Sequence, residues 1–228
     1  MTLHVPKDDV ALANTPELSH AGEPGGMQVV KFKESKPLPS YLVALAVGHF
    51  DIVDAGKVGK TPLRIITPHG KAANAKYAAE AIPQLLKLLE NYLGIPYPYE
   101  KLDSIAMPIS NFAMENAGLI TYGETTLLAK PEEDSINRQR GCAIVTAHEM
   151  AHQWWDQQVI GANMEGATLL SETLAQYSAL MVMEREYGRD AMRNASSLAK
   201  KPAIRTTPRP ASTSSLFSMP VPACVSLA

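Results

Sequence analysis

The sequence of 228 residues has no dominant charge: 21 Lys+Arg against 23 Asp+Glu leave a formal net charge of -2, with a pI near 6.3. That excludes the basic field a nucleic-acid surface needs, and no nucleic-acid partner is expected. Long apolar runs are missing as well. The most apolar stretches, such as Tyr41 to Val47, fall far short of the roughly 20 residues that cross a bilayer as a helix, so no membrane span is expected. The start, MTLHVPKDDVALANTPELS, has no basic lead, apolar segment and small-residue cleavage site, so no signal peptide is read and the default location is cytoplasmic. Cysteine is scarce. Cys142 and Cys224 are far apart and in no metal-spaced or redox-spaced pair, which rules out a disulfide framework. In the run CAIV, Cys142 is expected as a buried packing residue rather than a reactive thiol. There is no internal repeat.

What is present is an apolar fraction of 46%, ordinary for a globular chain with a core. MQVVKF and SYLVALAVGHFDIV, rich in Val and aromatics between Pro and Gly breaks, read as β-strands, and so does TPLRIIT over Thr61 to Thr67. Residues 71 to 93 are Ala- and Leu-rich with apolar positions returning at three and four, which predicts a helix, kinked or broken at Pro83 and stopped at Gly94. Phe112 to Tyr122 is placed at a sheet edge. Two further helices are predicted, from Ile136 to Gln157 and from about Thr168 to Tyr187, the second ending at Gly188. Beyond about Asn194, Ser, Thr and Pro dominate, and no Asp or Glu occurs after Asp190. This tail is expected to be disordered.

The chemistry concentrates in HEMAH. Histidines four residues apart on a helix lie one turn above the other on one face, so His148 and His152 can share a metal ion. Glu149 projects beside them, where a general base reaches a water. The plainer reading, polar residues on a solvated face, conflicts with the apolar flanks AIVTA and QWW, and a buried ionisable triplet without a metal is costly. A catalytic zinc takes three protein ligands and keeps a position for water. Glu172, on the next predicted helix after a loop long enough to reverse the chain, is the candidate third ligand. Taken alone, it reads more simply as a surface residue. Trp154 and Trp155 are expected in core packing rather than along a cleft.

HEMAHQWW followed by SETLAQY, with FAMEN upstream at Phe112 to Asn116, resembles the M1 family of zinc aminopeptidases. The family's pattern is H-E-x-x-H, 18 residues, N-E-x-x-A, and an exopeptidase motif G-A-M-E-N; here 19 residues separate His152 from Glu172, Ser171 stands for Asn, and Phe112 for Gly. The resemblance covers roughly residues 25 to 190. It implies an α+β fold with a thermolysin-like zinc metallopeptidase domain: a mixed sheet, the H-E-x-x-H helix and a glutamate-ligand helix, preceded by the end of a β domain. The implied division is 1–55 for the β domain, 56–194 for a partial catalytic domain and 195–228 for a tail, disordered or out of frame. The implied site is one Zn2+ on His148, His152 and Glu172, Glu149 as general base, and Ala113 and Glu115 binding substrate, with Glu115 on the α-amine of a peptide. The departure at Phe112 bears on how peptide backbone lies along that strand.

The family's oxyanion-stabilising tyrosine lies further downstream than this chain extends, and Tyr177 and Tyr187 match no motif for that role. The chain therefore reads as a fragment whose parent contributes further packing. The expected activity is removal of N-terminal residues from peptides with a free N-terminus; the alternative is a zinc-binding but weakly active or inactive module that binds peptides, and an endopeptidase is disfavoured by Glu115. The segment HQWWDQQVIGANMEGATLLSETLAQYSALMVMEREYG is also similar to M1-like domains fused to bacterial ABC transporter permeases, which implies a parent beside a membrane.

Overall fold

The computed structural model describes residues 1–108, 113–162 and 166–199; Phe112, Cys224 and residues 200–228 of the expected tail lie outside them. The chain starts with three strands that the sequence does not announce, ahead of the MQVVKF segment read as a strand. β1 (Thr2–Pro6), β3 (Glu17–Glu23) and β4 (Met27–Phe32) form an antiparallel sheet in the order β1-β4-β3, and β2 (Val10–Ala13) pairs with β5 (Leu45–Gly48). Val5, Ala11, Ala13, Val30 and Phe32 make a small core between them. The segment from Ser40, read as β-strand, starts instead with a 3-10 turn, Ser40–Leu42, after Pro39. The Pro ring fixes the backbone that enters the turn.

β6 (Phe50–Val58), β7 (Thr61–Pro68), β8 (Leu102–Met107), β9 (Ala113–Met114) and β10 (Leu119–Gly123) form a mixed five-stranded sheet in the order β6-β7-β8-β10-β9. β7, β8 and β10 run parallel, and β6 and β9 are antiparallel edges. β6 spans position 55 and belongs to this sheet along its whole length. Both faces of this sheet are covered. Leu63, Ile65, Leu102, Ala106, Ile120 and Tyr122 point to the helices, while Ile66, Ile105 and Leu119 point to Leu12 of β2. The alternation is the period of two that a pleated strand imposes.

Against the first face pack α1 (Lys76–Leu93), the short α2 (Glu124–Leu127), α3 (Ile136–Ala151) and α4 (Leu174–Tyr187), and α5 (Arg189–Ala199) follows. α1 buries Ala78, Ala81, Ile82, Leu85, Leu86 and Leu89, one face of a 3.6-residue period. It runs unbroken through Pro83 and stops at Gly94, whose φ of 69° is left-handed and whose N–H closes on Glu90 O at 2.9 Å. α3 ends at Ala151, six residues before the expected Gln157, and His152 is its C-cap. The chain then turns through Asp156 at φ 73°, a left-handed conformation Asp tolerates better than most residues. α5 continues to Ala199, past the composition change near Asn194. No helix among the described residues is long and apolar enough to cross a membrane.

The sheet core sets the stability of this frame. Leu86, fully buried in the central cluster, is the test: Leu86→Ala is expected to lower unfolding free energy by about 2–5 kcal/mol in chemical denaturation, the range for an aliphatic side chain removed from a packed core.

Candidate metal centre

α3 is capped at its start by Ser135, whose Oγ accepts from the Arg138 N–H at 3.4 Å. Its buried positions are Cys142, Ala143, Thr146, Ala147, Glu149, Met150 and Ala151. Cys142 packs as expected: burial pushes its thiol up to about 12. The helix therefore carries its ionisable residues at an end already enclosed by sheet and helices. The N–H of His152 bonds to His148 O at 3.3 Å, which keeps the helical offset between the two rings. Their Nε2 atoms face each other at 3.1 Å, with the rings edge to face.

Glu172 comes from a π-helical turn, Leu169–Thr173, that runs straight into α4. Its Oε2 lies 3.4 Å from His148 Nε2 and 3.8 Å from His152 Nε2. Among the described residues, these three form a group that could hold a metal ion, with all three ligand atoms within 4.8 Å of one another. His152 is buried, while the side chain of Glu172 is 59% exposed, so the group opens to solvent on one side. That side is a cleft of about 450 Å³ lined by His148, Glu172, Thr173, Gln176, Tyr177 and Leu180.

The electrostatics are those of a carboxylate cluster around two neutral imidazoles. Burial, and then the charges of Glu115 and Glu172, push Glu149 up to about 8. Burial is also the first cause of the raised Glu115, with Glu172 and Asp156 adding to it. Burial lowers both histidines. Neutral imidazole is the form that ligates a metal. His148 Nδ1 is buried and has no hydrogen-bond partner among the described residues.

Glu115 follows the edge strand β9, where Ala113 and Met114 are half-buried and pair with Tyr122 and Thr121. The residues after it are held from several directions. Gln153, fully buried, donates to Glu115 O at 2.9 Å and accepts from the N–H of Gly118 at 3.0 Å. Gln157 donates to the same carbonyl at 2.6 Å. Asn14 donates to Ala117 O at 2.9 Å, and buried Lys101 donates to Gly118 O at 2.8 Å. Asn116 accepts from Thr121 Oγ1 at 3.1 Å. Sequence reading missed Gln153, Gln157, Asn14 and Lys101. The one available signal was a pair of glutamines four residues apart just after HEMAH.

Both tryptophans serve packing. Trp154 is 2% exposed, donates to Pro96 O at 3.3 Å and meets Tyr97 edge to face. Trp155 donates to Ser178 Oγ at 3.0 Å, tying the turn after α3 to α4.

Two histidines one turn apart on a buried helix, with a glutamate from the π-helical turn that leads into the next, form a group that could hold a metal ion. The sequence profile described as "Peptidase family M1 domain" matches residues 77–215, and the chain belongs to that family. It is 41% identical over 160 residues to "Aminopeptidase M1-A" of Oryza sativa subsp. japonica, covering 70% of this chain and 18% of that protein. "Aminopeptidase M1" of Arabidopsis thaliana is 39% identical with the same coverage. "Glutamyl aminopeptidase" of Homo sapiens is 38% identical over 151 residues, 66% of this chain and 16% of that protein. The chain thus spans less than a fifth of the length of these relatives.

Gly118 gives the test of how tightly the loop after Glu115 is built. Its φ is +69°, and an added Cβ would stand 2.5 Å from Asn14 O. Gly70, at φ +81°, has open space around that position. Gly70→Ala is expected to cost about 1 kcal/mol from backbone conformation alone. Gly118→Ala is expected to cost on the order of 3 kcal/mol, because backbone strain and a backbone clash add. Denaturation midpoints of the two variants check the ordering.

Proposed function

We propose that the chain is the zinc-binding part of a metallo-aminopeptidase that removes N-terminal residues from peptides with a free α-amine. The observation that carries this reading is the convergence of His148 Nε2, His152 Nε2 and Glu172 Oε2 at separations of 3.1, 3.4 and 3.8 Å. Zinc–nitrogen and zinc–oxygen bonds of about 2.0–2.1 Å in tetrahedral array separate ligand atoms by about 3.3 Å, so the trio fits one zinc ion with little adjustment. The donor set of two imidazoles and one carboxylate is also that of a catalytic rather than a structural site.

When bound, zinc supplies a Lewis acid that polarises the scissile carbonyl and makes water acidic enough to lose a proton near neutral pH. Glu149 is the base that takes this proton and returns it to the leaving amine. Glu115 offers a fixed carboxylate to the substrate's ammonium group, with Ala113 on the edge strand β9 alongside the peptide backbone. An edge strand has unpaired N–H and C=O groups to offer an extended peptide. The relatives named as aminopeptidases support cleavage from the N-terminus. In this reading, residues up to Gly48 are the end of a β domain, and the sheet, α3 and α4 form a thermolysin-like catalytic unit.

A second reading is a module that keeps zinc and binds peptides but turns them over slowly. The exposure of Glu172 favours it, since an open site leaves water at the reacting groups. Zinc analysis combined with turnover of leucine p-nitroanilide separates the two. One zinc per chain is expected in the wild type and in Glu149→Gln, and His148→Ala is expected to lose it. Turnover is expected to fall about 100-fold or more in Glu149→Gln. Stoichiometric zinc with no Glu149-dependent turnover leaves only the binding module, and faster cleavage of the N-acetylated substrate rejects the role of Glu115.

A further inference from the structure

We propose that Gln153, assisted by Gln157, is a positioning residue that locks the amine-binding carboxylate of Glu115 in register with the metal ligands. The inference rests on the aminopeptidase reading and deepens it. Gln153 directly follows the ligand His152 at the end of α3, and its side chain is completely enclosed. Its Nε2 donates to Glu115 O at 2.9 Å, and its Oε1 accepts from Gly118 N at 3.0 Å and from Tyr97 Oη at 3.2 Å. Only one orientation of the amide meets these partners, because Gly118 N can only donate and Glu115 O can only accept.

Gln157 repeats the arrangement from one step further along. Its Nε2 reaches the same Glu115 carbonyl at 2.6 Å, and its Oε1 accepts from Tyr99 Oη at 2.7 Å. Both acceptor positions of the Glu115 carbonyl are therefore taken by amides that follow the second metal ligand. The tyrosines that brace the two amides come from the segment after α1, so each glutamine is itself held at its far end. Gln158 adds a bond to Tyr99 Oη at 3.3 Å.

An apolar residue at 153 would fill the same space but leave the Gly118 N–H without the partner it has here. What the amide adds is a fixed offset between two groups that must act on one substrate. In an N-terminal residue the α-amine is one carbon away from the scissile carbonyl. The carboxylate that binds the amine and the ion that polarises the carbonyl must then keep their separation within a fraction of an ångström, since misplacement of about 1 Å costs on the order of 100-fold in rate. Gln153 spans that offset by the shortest covalent route in the chain: one peptide bond from His152 on one side, one hydrogen bond to Glu115 on the other.

The test measures amine discrimination directly on the zinc-loaded full chain. The probes are leucine hydroxamate and N-acetyl-leucine hydroxamate, titrated by calorimetry; both chelate zinc, and only the first has a free amine. The wild type is expected to prefer the free amine, and Glu115→Gln to abolish that preference. Gln153→Met and Gln157→Met are each expected to reduce the preference about tenfold, the weight of one lost hydrogen bond. Zinc content and affinity for the acetylated probe stay unchanged. Should Gln153→Met fail to fold, Gln157→Met, at the half-buried end of the cluster, decides. A Glu115-dependent preference that survives both glutamine variants, or equal weakening of both probes, overturns the positioning role alone. A wild type with zinc but no preference for the free amine overturns the aminopeptidase reading and this inference together.

Discussion

The close approach of α3 and α4 is what makes the site possible. Ala143, Ala147 and Ala151 are fully buried at intervals of four along α3, and Ala175 and Ala179 are fully buried on α4. Side chains this small let packed helices lie at the near end of the usual interaxial range. A larger residue at these positions would push Glu172 away from His148 and His152. The indole of Trp155 then fastens the end of α3 to Ser178 of α4. The only polar group in the middle of the buried α3 face, Thr146, satisfies its hydroxyl within the helix, on Cys142 O and Ala143 O.

Next to the segment after Glu115, the sheet is secured by charge. Asp103 is completely buried and accepts from Arg64 through two nitrogens, at 2.8 and 2.6 Å, and from Lys101 at 2.8 Å. A buried carboxylate with two cationic partners is satisfied; with either removed it would be a liability. Lys101 also reaches Gly118 O, and Asn14 of the N-terminal strands reaches Ala117 O and Leu42 O. The segment after Glu115 is thus where the small β layer, the main sheet and the metal helix meet. The hydrogen bonds that hold it come from all three rather than from any single element.

Local patterns were legible in the sequence wherever chemistry or burial has a short period. The four-residue spacing of His148 and His152, the alternation in TPLRIIT and the apolar face of α1 all express one element's own geometry. The strands β1 to β3 were not legible, and β3 shows why: ELSHAGE is exposed along nearly its whole length, so no alternation of burial marks it. The end of α3 was overestimated because QWWDQ carries no Gly or Pro to mark a stop, while Asp156 adopts a left-handed conformation that no periodicity reveals. The glutamine pair stayed hidden because its partner, the Glu115 carbonyl, lies 38 and 42 residues away. Backbone carbonyls carry no signature in a sequence.

The π-helical turn at Leu169–Thr173 bears on how the centre holds together. Such a turn fits one more residue into the helix than an α-turn does, and the spacing between His152 and Glu172 is one residue longer than the resembled pattern. Glu172, the proposed third ligand, stands on that π-helical turn rather than on regular α-helix. In the proposed site, ordering of that turn and capture of an ion would be coupled equilibria, each lowering the free-energy cost of the other.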